Sequence, residues 1–457
     1  MQPAHKTTDL DFHCPTCAQP LENASLVLVC RDCGIAYPSL GDVTVCYPNP
    51  TLDLAAWRAS AHLELQKLID AQSKAHAARH TCTSQLTHSR LGTLSLAYTA
   101  QLECLTRLLE PLIADTPSSD EATYGALRTQ PLAIPTTLFG YAANLFRDWV
   151  WGEEENTQAL NILQATQFSR RTANPAGSWG KVLVLGAGAG RLAWEISGLT
   201  DADVVAVDAN PFTSLVGARL TAGESVDLWE FPLAPKEIAD VAIPHTLSAD
   251  CARDNLHWIL ADARQLPFAP GSFDTVITPW YTDVVQDQPA ATAQRINNLL
   301  VDGGQWLNYG SVAFADADIS QCLTLEELLE LVGQQGYKTP LCIEASGPYL
   351  KSPYSRFSRV EELHAFAATK NAQSEVPGKP ALPDWLTDMS VPVPALESFR
   401  HQAVSTQVHA FLMAQIDDQK SIEDIAGVLQ ERQLMDAAEA VPVVRDFLNK
   451  LYTDTQR

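Results

Sequence analysis

The segment Val182–Ile196, VLVLGAGAGRLAWEI, leaves the chain fewest ways to fold. Four consecutive apolar side chains read as a strand buried on both faces, the pattern of a central strand in a parallel sheet. Gly186, Gly188 and Gly190 then alternate with alanine, and RLAWEI opens a helix. Glycines so placed tolerate positive φ and let backbone approach a ligand with no Cβ in the way. A buried strand, a glycine turn and a helix N-terminus form the nucleotide-facing half of a doubly wound α/β unit. The dinucleotide fingerprint is GxGxxG, with a pyrophosphate seated on the helix N-terminus. Here the run is GxGxG, and Arg191 takes the place of the third glycine. A long side chain there is awkward beside a pyrophosphate and harmless beside S-adenosyl-L-methionine, which has no phosphate.

The following strands fit that reading. DVVAVDAN ends its apolar run at Asp208, 20 residues beyond Gly188, where a carboxylate can accept both hydroxyls of a ribose. LHWILADARQLPF is a third strand with Asp262 just past it, placed to meet an adenine amino group. SFDTVITPWYTDVV is a fourth strand running into a loop, and LVDGGQWLNYG is a turn followed by a fifth. Asp283 in that fourth loop overlooks the reacting methyl in such a fold. Trp280 and Tyr281 beside it can wall an acceptor and hold water away. The order of these elements is that of a class I methyltransferase, with its ligand across the carboxyl ends of the strands.

The front of the chain carries a second, independent signal. Cys14-x2-Cys17 is followed after twelve residues by Cys30-x2-Cys33, and Gly34 supplies the turn after the second pair. Two complete CxxC knuckles offer four thiolates to one tetrahedral structural zinc, with no open position for catalysis. Leu26 to Val29 reads as the strand leading into the second knuckle. Cys46 and His13 are read as bystanders.

Charge narrows the partners. The chain of 457 residues has 31 Lys and Arg against 54 Asp and Glu, a net charge of −23. A field of that sign repels nucleic acid and anionic membranes, so the expected acceptor is a small molecule or short peptide. An RNA methyltransferase with a zinc-ribbon recognition module is the rival reading, and the acidic balance counts against it. A binding protein that keeps the fold without turnover is another, opposed by the intact glycine loop, Asp208 and Asp262. The N-terminus lacks the basic-then-apolar pattern of a signal peptide, and no apolar segment is long enough to span a bilayer, so the expectation is a cytoplasmic protein with no membrane contact. Ten cysteines then read as metal ligands and buried thiols.

FRDWVWGEEE (Phe146 to Glu155), LGAGAGRLAWEISG, LWEFPLAPKEIADVAIP, LADARQLPF, TPWYTDVV and GGQWLNYGSVAF together resemble the carnosine N-methyltransferase family. The likeness covers roughly residues 130 to 370. It implies cofactor contacts from Arg147, Gly186, Gly188, Arg191, Asp208 and Asp262, and a contact from Asp283 to the imidazole side of an acceptor. Ala187, Gly190, Ala209, Ala263 and Thr278 complete the expected cofactor set. The chain departs from the family in three places. Asp208 replaces a glutamate, Ala315 stands where the loop after the fifth strand should hold a histidine, and SPYSRFSRVEEL lacks the family's paired substrate tyrosines.

The expected organisation is a zinc ribbon at 1–50 resembling Trm112-like modules, a helical segment at 51–130, the methyltransferase domain at 131–370, a linker at 371–395 and a helical or winged-helix-like module at 396–457. LAAWRASAHLELQKLIDAQ and LSLAYTAQLECLTRLLEPL repeat apolar residues at helical spacing, with Pro111 ending the second. His76, His80 and His88 are placed between them and read as solvated. The tail reads as two amphipathic helices, the first capped by Ser421, and weakly resembles PqqD-like peptide-binding modules. Both the ribbon and the tail are candidate docking points for a protein or peptide partner.

Overall fold

The computed structural model describes residues 10–24, 27–114, 138–168, 179–285, 287–315, 319–338, 340–375 and 390–456. The chain divides into two compact units, Met1–Pro377 and Gly378–Arg457. In the first unit the strands are β1 (Glu22–Ala24), β2 (Val27–Val29), β3 (Ala36–Tyr37), β4 (Ser39–Leu40), β5 (Val43–Val45), β6 (Val182–Leu185), β7 (Val204–Asp208), β8 (Ser225–Glu230), β9 (Ile243–Ser248), β10 (Leu256–Leu260), β11 (Phe273–Pro279), β12 (Leu300–Gly310), β13 (Leu341–Tyr349) and β14 (Arg359–Thr369). Nine of them form one sheet in the order β13-β14-β12-β11-β6-β7-β10-β5-β4. The strands from β12 through to β5 run parallel, and β14 is antiparallel to both β12 and β13.

The VLVL run fixes the centre of this sheet. All four residues of β6 are buried, and successive side chains alternate between two cores. Val182 and Val184 join a cluster with Trp149, Leu163, Trp194 and Phe212 on one face. Leu183 and Leu185 join Ile296, Leu299, Leu328 and Val332 on the other. After β6 the chain goes one way to β7 and β10, then returns to the other side of β6 for β11 and β12. The carboxyl end of β6 is therefore the topological switch point, where open α/β sheets bind ligands.

Two long helices, Pro50–Thr81 and Gln85–Ile113, pack against the first face, capped by Asn49 and Ser84. Pro111 does not end the second helix as its sequence suggests. It lies in the last turn, and the helix continues to Ile113. His76 and His80 lie on the first helix and His88 on the second, with Arg79 donating to His88. Residues 115–130 of the expected helical segment lie outside the described residues. Gln101 on the second helix accepts from Trp229 N at 2.7 Å, and Tyr98 stacks on Phe231 at 4.8 Å. These contacts hold the β8–β9 hairpin against the domain.

The N-terminal cysteines lie beside a small sheet, β1-β2-β3, and the same chain segment runs on into the large one, because β5 adds parallel to β10. His13 N also bonds Pro267 O at 2.9 Å. The sulfurs of Cys14, Cys17, Cys30 and Cys33 all lie within 4.8 Å of one another. That spacing fits four thiolates about one zinc with Zn–S bonds of about 2.3 Å. Tyr37 Oη lies 3.1 Å from Cys14 Sγ, and Cys33 N donates to Cys30 Sγ at 3.4 Å, so the ligand sulfurs are already oriented. Cys46 is fully buried and stands outside this group.

The described part of the second unit holds three helices, Glu397–Met413, Ile422–Glu431 and Ala437–Gln456, around Leu412, Ile425, Leu429 and Val444. Ser421 caps the middle one through a reciprocal bond pair with Asp424. No helix among the described residues is long and apolar enough to cross a membrane.

The cysteine cluster calls for one zinc per chain. Metal analysis of protein purified without chelators should return about one equivalent, and Cys17→Ser should abolish it and lower the melting temperature. Binding of S-adenosylmethionine should be retained, since the sulfurs lie outside the glycine loop.

Candidate active site

The glycine turn is held from three sides. Gly186, Gly188 and Gly190 have φ of 70°, 55° and 83°, a region glycine enters without strain. Gly186 N and Ala187 N both donate to Val207 O, at 2.9 and 3.0 Å, which pins the turn to the end of β7. A Cβ on Gly190 would lie 2.4 Å from the Trp258 ring, whereas one on Gly188 would meet nothing within 4 Å. Gly188 is thus the open point of the cradle, where a ligand can reach backbone.

Asp208 faces that opening. Its Oδ2 accepts from Gly188 N and its Oδ1 from Asn210 N, each at 2.8 Å. Burial pushes its carboxyl above the usual range, while the backbone N–H groups of Asn210, Gly188 and Ala209 pull it back down. Each oxygen has a lone pair left for a ribose hydroxyl. Ala209 O accepts from Tyr47 at 2.7 Å, which ties the segment after β5 to this corner. Asp262 follows β10 as expected, but its carboxylate is gripped by Arg264 Nε and NH2 at 3.0 and 2.7 Å. Ala263 packs at the edge of the second core.

The RDW segment meets the loop through a π-helical turn, Arg147–Trp151, in which Gly152 N donates to Arg147 O at 2.8 Å. Such turns concentrate at functional sites. Trp149 Nε1 donates to Ala189 O at 2.9 Å, inside the glycine run. Arg147 pairs with buried Asp148 at 2.7 Å and lies over the Tyr349 ring. Arg191 behaves differently from the expected cofactor contact. Its Nε bonds Glu195, NH1 bonds Asp148 O and NH2 bonds Glu153, and its guanidinium lies 5.6 Å from the Trp149 ring and 5.4 Å from Trp194. With its donors committed in this way, the guanidinium braces the loop against the RDW turn.

Thr278 is a correction. Its side chain is fully buried, receives Trp306 Nε1 at 2.9 Å and donates to Asn308 Oδ1 at 2.9 Å. It ties β11 to β12 and offers no surface to a cofactor. Tyr281 is also buried, and its ring packs against Gly186, so it buttresses the loop from beneath. Burial raises its hydroxyl above the usual phenol range.

Trp280 and Asp283 stay at the carboxyl end of the sheet. Trp280 has φ of 51°, an uncommon conformation for a bulky residue and one that clusters at functional sites. Its ring meets Tyr309 at 5.9 Å and Tyr349 at 4.5 Å, both edge-on. Asp283 Oδ2 accepts from Ser311 Oγ at 2.7 Å and Ala313 N at 2.8 Å. Its Oδ1 is buried and has no hydrogen-bond partner among the described residues. Tyr349 was not legible as a site residue. Its place opposite Trp280 depends on the pairing of β13 with β14, which no local motif encodes.

Residues 183–307 match the family described as "Methyltransferase domain". The chain carries a class I methyltransferase domain. It is S-adenosylmethionine-dependent in type. No curated protein matches the chain. Among solved structures it is similar to phosphoethanolamine N-methyltransferase 2 of Haemonchus contortus in complex with S-adenosyl-L-methionine, at 18% identity and a TM-score of 0.33 over 52% of this chain and 58% of that one. It is also similar to the N-methyltransferase NodS of Bradyrhizobium japonicum, at 12% identity and a TM-score of 0.32 over 49% and 90%. The YcgJ protein of Bacillus subtilis is similar at 14% identity and a TM-score of 0.32 over 47% and 99%.

Asp208→Ala removes the carboxylate opposite Gly188. Charge-assisted bonds of this kind are worth ~1.5–3 kcal/mol, so calorimetry should show S-adenosylmethionine binding weakened by about ten- to a hundredfold. Unchanged affinity would mean that the ribose lies elsewhere.

Proposed function

We propose that this protein transfers a methyl group from S-adenosylmethionine to a nitrogen of a small molecule or short peptide, and that the nitrogen belongs to an imidazole-like ring. The observation that carries the reading is the unpartnered, buried Oδ1 of Asp283 beside Trp280. A buried carboxylate oxygen without a donor is costly, and a ligand N–H removes the cost. An imidazole offers such an N–H on one nitrogen while the other keeps its lone pair for attack. The resemblance of residues 130–370 to the carnosine N-methyltransferases supports the same assignment.

S-adenosylmethionine, when bound, supplies a methyl carbon already activated by a sulfonium. Gly186, Ala187, Gly188 and Gly190 provide its backbone cradle, Asp208 and Ala209 the ribose corner, and Asp262 and Ala263 the adenine edge, with Arg147 at the opposite end. Asp283 orients the acceptor, and Trp280 with Tyr349 excludes water from the reacting atoms. Alignment and desolvation of this kind account for most of the rate such a displacement requires. The zinc cluster takes no part in the chemistry. A net charge of −23 favours a small acceptor over RNA.

Asp283→Asn keeps the shape and loses the charge-assisted bond. Turnover of an imidazole-bearing acceptor should fall by one to two orders of magnitude, equivalent to ~1.5–3 kcal/mol, with S-adenosylmethionine affinity hardly altered. Turnover equal to that of the wild type would return Asp283 to a purely structural role.

A further inference from the structure

Two titratable side chains near the outer end of the β8–β9 hairpin have no part in the scheme above. Glu230 Oε2 lies 2.9 Å from His245 Nε2 and accepts from Trp151 Nε1 at 3.2 Å, while Oε1 accepts from Ser352 Oγ at 2.7 Å. Both side chains are 8% exposed. The His245 ring is flanked by Phe146 at 5.3 Å and Tyr354 at 5.9 Å. Three donors from three elements fix the carboxylate, and the carboxylate fixes the ring. With the proton of the neutral ring on Nε2, facing Glu230, the lone pair is on Nδ1. No described residue makes a hydrogen bond to Nδ1.

The dyad is linked to Trp280 through a short chain of contacts. Phe146 and Trp151 bracket the turn whose Arg147 lies over Tyr349, and Tyr349 packs on Trp280. Ser352 and Tyr354 follow Tyr349 along the chain. The charged groups of the surrounding elements are otherwise engaged. Arg147 pairs with Asp148, Glu155 accepts from the backbone of Leu350 and Lys351, and Asp227 accepts from Thr246 across the hairpin. A carboxylate-oriented histidine with a free nitrogen is the composition of a general base.

We propose that His245, oriented by Glu230, removes the proton from an acceptor nitrogen that arrives protonated. This rests on the nitrogen-acceptor reading above. An imidazole-like ring is partly protonated near neutral pH, and its lone pairs are then occupied. The proton passes from the acceptor nitrogen to His245 Nδ1, and the imidazolium so formed is held by Glu230. The freed lone pair forms the N–C bond as the C–S bond breaks, and sulfur keeps the electron pair of a neutral thioether. Glu230 is a positioning residue; His245 touches the acceptor.

The test uses the full chain with methyl-labelled S-adenosylmethionine and the dipeptide β-alanyl-L-histidine as probe acceptor, between roughly pH 6 and 9. His245→Gln should lower turnover by ~10²-fold at the acid end, with the deficit shrinking as the acceptor deprotonates unaided. Glu230→Gln should shift the acid limb of the profile. Added imidazole should restore part of the activity of His245→Ala. Wild-type turnover in His245→Gln, or an equal loss at every pH together with a lowered melting temperature, overturns the proposal and leaves the dyad a structural latch. Nitrogen-15 NMR of histidine-labelled protein gives a readout that needs no acceptor. It should show a neutral His245 ring carrying its proton on Nε2, toward Glu230. A neutral ring protonated on Nδ1 overturns the proposal even if the probe is not methylated. Absence of methylation with the NMR result intact would instead count against the imidazole acceptor alone.

Discussion

The guanidinium of Arg191 holds the working end of this domain together. A turn with three glycines at positive φ has little stiffness of its own, since each glycine gives up more backbone freedom on folding than any other residue. Arg191 follows that turn immediately and ties it to Asp148, Glu153 and Glu195 while lying against Trp149 and Trp194. The Glu153 carboxylate is 73% exposed and adds little, so the shielded bonds to Asp148 O and Glu195 carry most of the bracing. Arginine suits the position because its planar fork meets several acceptors at once and stacks on rings, which a lysine cannot do. One side chain thereby ties the glycine loop to the RDW turn.

The strand order and the glycine turn were largely legible from sequence, and the reason is local. A buried strand, a glycine turn and an acid-tipped strand each announce themselves within about ten residues, and they meet because consecutive parallel strands neighbour one another. The position of Asp283 just beyond a strand end was legible in the same way. Its strongest credential, an unpartnered buried oxygen, was not, because it arises from Ser311 and Ala313 satisfying only the other oxygen.

What could not be read depends on contacts between distant segments or on which way a side chain turns. Thr278 lies at the right height on β11, yet it turns into the sheet toward Trp306 and Asn308. Arg191 sits in the expected loop but spends its donors on segments some forty residues upstream. The Glu230–His245 pair joins a hairpin to two loops, and Ser352 reaches it from 122 residues away. Pro111 misleads for a simpler reason: only Leu112 and Ile113 follow it in the helix, and the burial of Leu112 holds that last turn in place despite the hydrogen bond the proline forfeits.

If Arg191 is the brace, removing its charge should harm ligand binding without any direct contact being lost. Calorimetric titration of the full chain with S-adenosylhomocysteine measures this directly, for the wild type and for Arg191→Met. The wild type should bind one equivalent per chain, and the variant should keep its zinc and bind at least about tenfold more weakly, a loss of ~1.4 kcal/mol. No binding by the wild type, or undiminished affinity in Arg191→Met, would contradict the account.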